Sequence, residues 1–461
     1  MRLRKMALRS PTSFIATFAI FGGAVSSSAL ADAESLSPIQ PLATEQQLKI
    51  EATAAAILKT LEMQRTIDAA RQLLLTSRFA NSEAANQTLE QMISETAGFA
   101  ALNAASKDPQ NPGLFWYQTP RREWMGHSVS GSRFSFDNPD NIYRNAFIDD
   151  KSTYVFTASP TGPTGRLTVT IYKAITRAEV EDYEKQAVDT ADEEHIKVDS
   201  KGAVRITIGP GDPKDGSTYL NSRGGAVFRV REAFSDWHRQ HPRAMSLRKI
   251  AGPTSRVVTC DERVALAQRY MMLGAVTVAY FDKIVYPLPT NNFAPSVRRA
   301  QGTKPSTVKL GLFHLADDEA LVVNVLPQAA EYMSFSVTSP WQVTRNFLDK
   351  TATRTSRQSH QNADGTYTYV LSRRDPGVAN WMDTVGLLDG GMAMRWEGIN
   401  APEAGPNAAI KSVKLVKLNA LRSELPANFP SVSAAERSSE VARRRADYEA
   451  RCGVPCRVLM D

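Results

Sequence analysis

Two stretches, set side by side, decide the fold. The first is Val204-Arg-Ile-Thr-Ile208, Asp212-Pro213, Tyr219-Leu220, Gly224-Gly225 and Ala226-Val-Phe-Arg-Val-Arg231. The second is Thr366-Tyr-Thr-Tyr-Val-Leu371, Asp375-Pro376, Trp381-Met382, Gly390-Gly391 and Met392-Ala-Met-Arg-Trp396. Each runs strand, Asp-Pro, aromatic–apolar pair, Gly-Gly, strand carrying arginine, at near-equal spacing. β-branched and aromatic residues alternating with polar ones mark half-buried strands. Asp-Pro is turn chemistry, and Gly-Gly allows positive φ. A repeated order of this kind is the signature of a duplicated unit.

Working outward, Thr153–Thr157 and Arg166–Tyr172 add strands to the first region, and Ala320–Val325 and Tyr332–Val337 add strands to the second. The expectation is a mainly β chain with helices, built as two tandem antiparallel β-sandwich domains of jelly-roll type. They span residues 113–231 and 305–420. Ahead of them, residues 32–112 read as a helical N-terminal segment, with Ile57, Leu61, Leu74, Leu89 and Ile93 at helical spacing. Thr44-Glu45-Gln46-Gln47 resembles a capping box. Residues 232–304 read as a helical connector and Pro-rich linker. There Tyr270–Phe281 is apolar nearly all round, which predicts a helix buried between the domains. Residues 421–461 form a C-terminal helix and tail, with Arg443-Arg444-Arg445 as a solvated face.

The second β region carries a resemblance. Tyr332-Met-Ser-Phe-Ser-Val-Thr-Ser-Pro-Trp341, Asp364-Gly365, Asp375-Pro-Gly-Val-Ala-Asn-Trp-Met-Asp383, Gly391 and Arg395-Trp396 resemble a bacterial domain of unknown function, number twelve-fourteen. A related domain, twelve-fifty-four, often precedes it in that family. Asn138-Pro-Asp-Asn-Ile-Tyr-Arg144 and the strands after it occupy that place here. The resemblance covers residues 320–400 well and 113–231 loosely. It implies tandem jelly-roll sandwiches and names no reaction.

The first residues concern location. Arg2, Arg4, Lys5 and Arg9 precede an apolar stretch from Phe14 to Val25 and then Ser28-Ala29-Leu30-Ala31. That order is a secretory signal peptide, residues 1–31, cleaved after Ala31, which predicts a periplasmic or secreted protein with no transmembrane segment after cleavage. The chain's net charge is +7. The leader's four bases account for over half of it, so a nucleic-acid partner is not expected. Of the three cysteines, Cys452 and Cys456 bracket a turn and predict a disulfide, with Cys260 free and buried. Oligomeric state is not legible.

Catalytic motifs are scarce. No G-x-S-x-G elbow, phosphate loop, H-E-x-x-H or dinucleotide fingerprint occurs. Ser246-Leu-Arg-Lys249 and Ser306-Thr-Val-Lys309 match S-x-x-K without its partner motifs. His238-Arg-Gln-His241 lacks further ligands, so neither metal nor cofactor is expected. Asp149-Asp150 and Asp317-Asp318 read as turns.

Two clusters remain. Asp137, Asn138, Asp140, Asn141, Tyr143 and Arg144 gather carboxylates, carboxamides, a ring and a cation, the groups a polar-ligand site needs. Trp341 and Trp381 are candidates for further walls of the same interdomain cleft. The second cluster is a structural pair, Asp375 with Arg395, echoed by Asp212 with Arg231 or Arg229. The leading function is an exported protein that binds a polar or amphipathic small molecule such as a carbohydrate. The alternatives are a hydrolase or lyase using carboxylates of the 137–144 loop, and a structural envelope protein.

Overall fold

Helices begin where short hydroxyl side chains satisfy free N–H groups. Thr44 accepts the Gln47 N–H at 3.1 Å and opens α1, Glu45–Leu58; Thr60 opens α2, Leu61–Leu74, and Ser82 opens α3, Glu83–Ala105. The expected box at Thr44 is half formed. The Gln47 carboxamide turns away to Glu51 and to the Trp116 backbone. The computed structural model describes residues 40–175, 186–295, 297–299, 306–400 and 409–460. Residues 1–31, read above as an export signal, and the expected cleavage site lie outside them.

The first sandwich uses β1 (Phe115–Tyr117), β4 (Asn141–Phe147), β5 (Thr153–Ser159), β6 (Arg166–Tyr172), β7 (Ala187–Asp192), β8 (Val204–Gly209), β9 (Thr218–Asn221), β10 (Val227–Ala233) and β11 (Ala244–Ala251). One sheet has the order β1-β4-β10-β6-β7 and the other β11-β5-β8-β9. The second uses β12 (Asn292–Phe293), β13 (Val297–Arg299), β14 (Ser306–His314), β15 (Glu319–Val325), β16 (Ala330–Thr338), β17 (Thr353–Thr355), β18 (Tyr367–Ser372), β19 (Trp381–Asp383), β20 (Asp389–Ile399) and β21 (Ile410–Lys417). Its sheets run β12-β14-β20-β16-β17, with β13 beside β14, and β19-β18-β15-β21. A small sheet joins β2 (Arg121–Trp124), β3 (His127–Val129) and β22 (Cys456–Leu459).

The two sandwiches have one topology. β4-β10-β6-β7 repeats as β14-β20-β16-β17, and β11-β5-β8-β9 repeats as β21-β15-β18-β19. All pairings in them are antiparallel except one in each, β8 with β9 and β18 with β19. Both Asp-Pro turns lie in the connection between those parallel strands. Strand faces follow the period of two. In β20, Met392, Met394 and Trp396 enter the core, which leaves Arg395 and Glu397 on the opposite face.

The helices form a layer over the outward face of the first five-stranded sheet. Asn145 Nδ2 of β4 donates to Asn103 Oδ1 of α3 at 3.4 Å, and Phe99 meets Tyr117. Helix α4, Cys260–Ile284, is long and apolar enough to cross a membrane by length and composition. It packs instead on α2 and α3, where a Cβ on Gly274 would stand 2.7 Å from Thr96. The expected helix between the sandwiches is therefore a member of this layer.

Other expectations need correction. Helix does not resume at 232: β10 runs on to Ala233, and β11 adds a strand at 244–251, so the first sandwich extends past 231. Cys260 is free but exposed, at the first turn of α4, while Cys452 and Cys456 are disulfide-bonded. After α5 (Leu421–Glu424), α6 (Ala434–Ala450) does not present all three arginines to solvent. Arg444 is buried over the Trp237 ring and donates to the Phe347 carbonyl at 2.9 Å.

The sandwiches meet directly. Arg166 of β6 pairs with Glu331 of β16, and Phe136 N–H donates to the Gln342 carbonyl at 2.9 Å. The Ser235 hydroxyl donates to the Glu331 carbonyl at 2.9 Å, and Thr355 donates to the Ser235 carbonyl at 2.6 Å.

Candidate functional site

The outward faces of the two larger sheets come together where β4 and β10 approach β14 and β20. Between them is a cavity of about 40 Å³ whose wall includes Asn138, Asn141, Tyr143, Arg231, Arg395 and Glu397. Phe136 and Val308 add apolar surface. That volume has room for about three water-sized groups.

Three of the expected site residues line it: Asn138, Asn141 and Tyr143. The others serve the fold. Asp137 is buried and accepts from the Thr344 N–H at 2.9 Å and from the Thr344 hydroxyl. Asp140 accepts from Trp237 Nε1 at 2.9 Å and from the Tyr332 hydroxyl at 2.7 Å. Burial raises the pKa of both carboxyls, against the pull of these donors and of nearby arginines. Arg144 points to the other face of β4, where it meets Glu232 at 3.0 Å and the Arg243 carbonyl at 3.1 Å. The carboxylates named for hydrolysis are thus committed to structural partners.

Neither tryptophan is a wall of the cavity. Trp341 is fully buried, donates to the Ala85 carbonyl at 2.8 Å and packs on Phe79. Trp381 donates to Ser372 Oγ at 3.0 Å and lies under the Arg437 guanidinium. The pair Asp375–Arg395 does not form. Asp375 accepts from Arg437 Nε at 2.9 Å, because α6 lies against that turn. Its echo fails as well: Asp212 is beside Lys214, Arg229 donates to Asn145 Oδ1, and Arg231 meets Glu397.

Arg395 lines the cavity instead, held by Ser336 Oγ and by the Phe136 carbonyl at 3.1 Å. Arg231 Nη2 stands 3.1 Å from Glu397 Oε2, in an alignment too poor for a hydrogen bond. Burial opposes the Arg231 charge, but Glu397 and the neighbouring tyrosines outweigh it and its pKa is raised. Asn141 donates to the Tyr143 hydroxyl at 2.9 Å, while its Oδ1 is buried without a hydrogen-bond partner. Two buried acceptors at one cavity therefore lack a well-aligned donor; for Asn141 Oδ1, which has no charge beside it to offset the loss, that costs about 1–3 kcal/mol.

Glu397 was not among the residues singled out from sequence, and Arg231 was named only for a structural pair. The signal that finds them is the echo itself. Counted from the Gly-Gly pairs, Arg229 matches Arg395 and Arg231 matches Glu397, so the ion pair joins equivalent positions of the two repeats.

No family model matches the chain, and no curated protein does. Among solved structures, an uncharacterised protein from Burkholderia cenocepacia matches with a TM-score of 0.62 at 18% identity, over 80% of this chain and 99% of that one. A protein from Vibrio parahaemolyticus matches with a TM-score of 0.39 at 12% identity, over 81% and 99%. The first shows that this β-rich fold with its helical segment occurs elsewhere.

Proposed function

We propose that the protein is an exported binding protein that holds a small polar molecule in the crevice between its two sandwiches. The observation that carries this reading is the unsatisfied pair of acceptors, Asn141 Oδ1 and Glu397 Oε2, at a cavity also lined by two guanidinium groups. Buried polar groups left without partners in a cavity are groups kept for a ligand. The hydrolase or lyase alternative has less support, since Asp137, Asp140 and Arg144 are each bound to structural partners. Export rests on the leader, with mature protein starting at Asp32, and kinship with the twelve-fifty-four and twelve-fourteen domains rests on the residues quoted above.

The test separates a ligand site from a structural polar cluster by the size of a stability change. Asn141→Ala removes an unpaired acceptor together with the hydrogen bond to the Tyr143 hydroxyl, two opposing effects, so thermal stability is expected to stay within about 1 kcal/mol of the wild type. Binding of a compound found in a thermal-shift screen of sugars, small acids and lipids is expected to be lost. A clear fall in stability, with no compound shifting the wild type, would mean the cluster is structural and would favour the envelope reading.

A further inference from the structure

We infer that the crevice selects a small hydroxylated carboxylate, a molecule with one acidic group and an adjacent hydroxyl. The inference rests on the binding reading above and adds the chemical class. The charges at the cavity are two guanidinium groups and one carboxylate, so its lining has one positive charge in excess. Glu397 compensates Arg231. Arg395 forms no direct ion pair among the described residues; its contacts are a hydroxyl and a carbonyl, and the Asp137 carboxyl acts on it only through space, being held by Thr344. An incoming carboxylate on Arg395 would supply a direct counter-charge through charge-assisted hydrogen bonds.

The two unsatisfied atoms ask for the opposite group. Asn141 Oδ1 and Glu397 Oε2 are both acceptors, so the ligand must bring a donor beside its acid. A hydroxyl provides that donor without adding charge, and the net charge then closes to zero. Tyr143 and Phe136 offer ring surface for the carbon between the two groups. The volume of about 40 Å³ restricts the part of the ligand that enters to a few atoms.

Three matched probes test each element on the full chain by titration calorimetry: glycolate with both groups, acetate with the acid alone, and glycolamide with the hydroxyl and no charge. Glycolate is expected to bind about tenfold or more tightly than either of the others, since a site with buried polar groups discriminates against a ligand that leaves them unpaired. Asn141→Ala should bring glycolate down to the level of acetate. Arg395→Gln should bring it to the level of glycolamide, and the wild-type comparison stands even if that variant fails to fold. Equal binding of glycolate and acetate, or of glycolate and glycolamide, overturns the inference. Neutral sugars bound with loss in Asn141→Ala, and no acid bound, overturns it while the crevice reading stands. If neither these probes nor any compound of the wider screen binds, both fall.

Discussion

The two sandwiches have the same strand order and the same motif, yet the matched residues do different work. In the first, Gly224 has φ +75° with open space around it. In the second, neither Gly390 nor Gly391 has a positive φ; a Cβ on Gly390 would stand 2.5 Å from the Thr338 carbonyl oxygen. One glycine is required by a turn and its counterpart by close packing. Likewise Asp212 and Asp375 each accept an N–H from two residues on, at 2.9 Å, but only Asp375 also holds an arginine of α6. The shared topology keeps the Asp-Pro turn, while neighbours from the rest of the chain reassign the side chains.

The largest expected effect is at the place where the repeats touch each other. Arg231→Met leaves Glu397 buried without its counter-charge, which should cost about 3–5 kcal/mol of unfolding free energy in urea. Arg231→Met with Glu397→Met together should recover most of that loss, since the pair is replaced by apolar surface of similar size. If each single variant unfolds within about 1 kcal/mol of the wild type, the repeats are not joined through these equivalent positions.

The matched glycines come next. Gly390→Ala forces a methyl against a backbone oxygen and the Phe313 ring, an overpacking cost of about 1–3 kcal/mol. Gly224→Ala meets nothing and pays only for left-handed backbone, about 1–2 kcal/mol. The two differ in rescue. Phe313→Leu should relieve part of the Gly390→Ala loss, and no second substitution near Gly224 should relieve the other. Equal losses with no rescue would mean both glycines answer to backbone conformation alone.

Much of the fold was legible because strands and turns are local. Tyr367–Leu371 alternates within five residues, and the Asp-Pro and Gly-Gly signals sit beside the strands they connect. β11 escaped notice because Met245 and Leu247 keep the period of two only briefly before the register shift near Lys249, and because Pro242 and Pro253 isolate it. The site was legible only in part. Asn138, Asn141 and Tyr143 stood out by residue type, but the fate of Asp137 and Asp140 depended on Thr344, Trp237 and Tyr332, which lie between 97 and 207 residues away. Sequence spacing carries no information about such partners. Glu397 is reached from sequence only through the repeat, by its match to Arg231 counted from the Gly-Gly pairs; its residue type alone does not mark it.

The smallest effect concerns the two Asp-Pro turns, and it is the most direct measure of how far the repeats have diverged. Both aspartates close the same local turn, so the loss of that N–H acceptor is common to Asp212→Ala and Asp375→Ala. Asp212 is otherwise on the surface beside Lys214, and its substitution should leave the unfolding midpoint unchanged. Asp375 also binds Arg437, whose guanidinium is buried, donates to the Val378 carbonyl at 2.6 Å and lies over Trp381. Removing the carboxylate leaves Arg437 with Glu440 and that carbonyl, so a partial loss of about 1–2 kcal/mol is expected. The loss should depend on α6. In an Arg437→Met background, Asp375→Ala should cost no more than Asp212→Ala, because only the shared turn remains. Equal costs for the two aspartates in the wild-type background would show that the docking of α6 adds nothing to this turn. The difference between the repeats would then lie wholly at the Arg231–Glu397 contact.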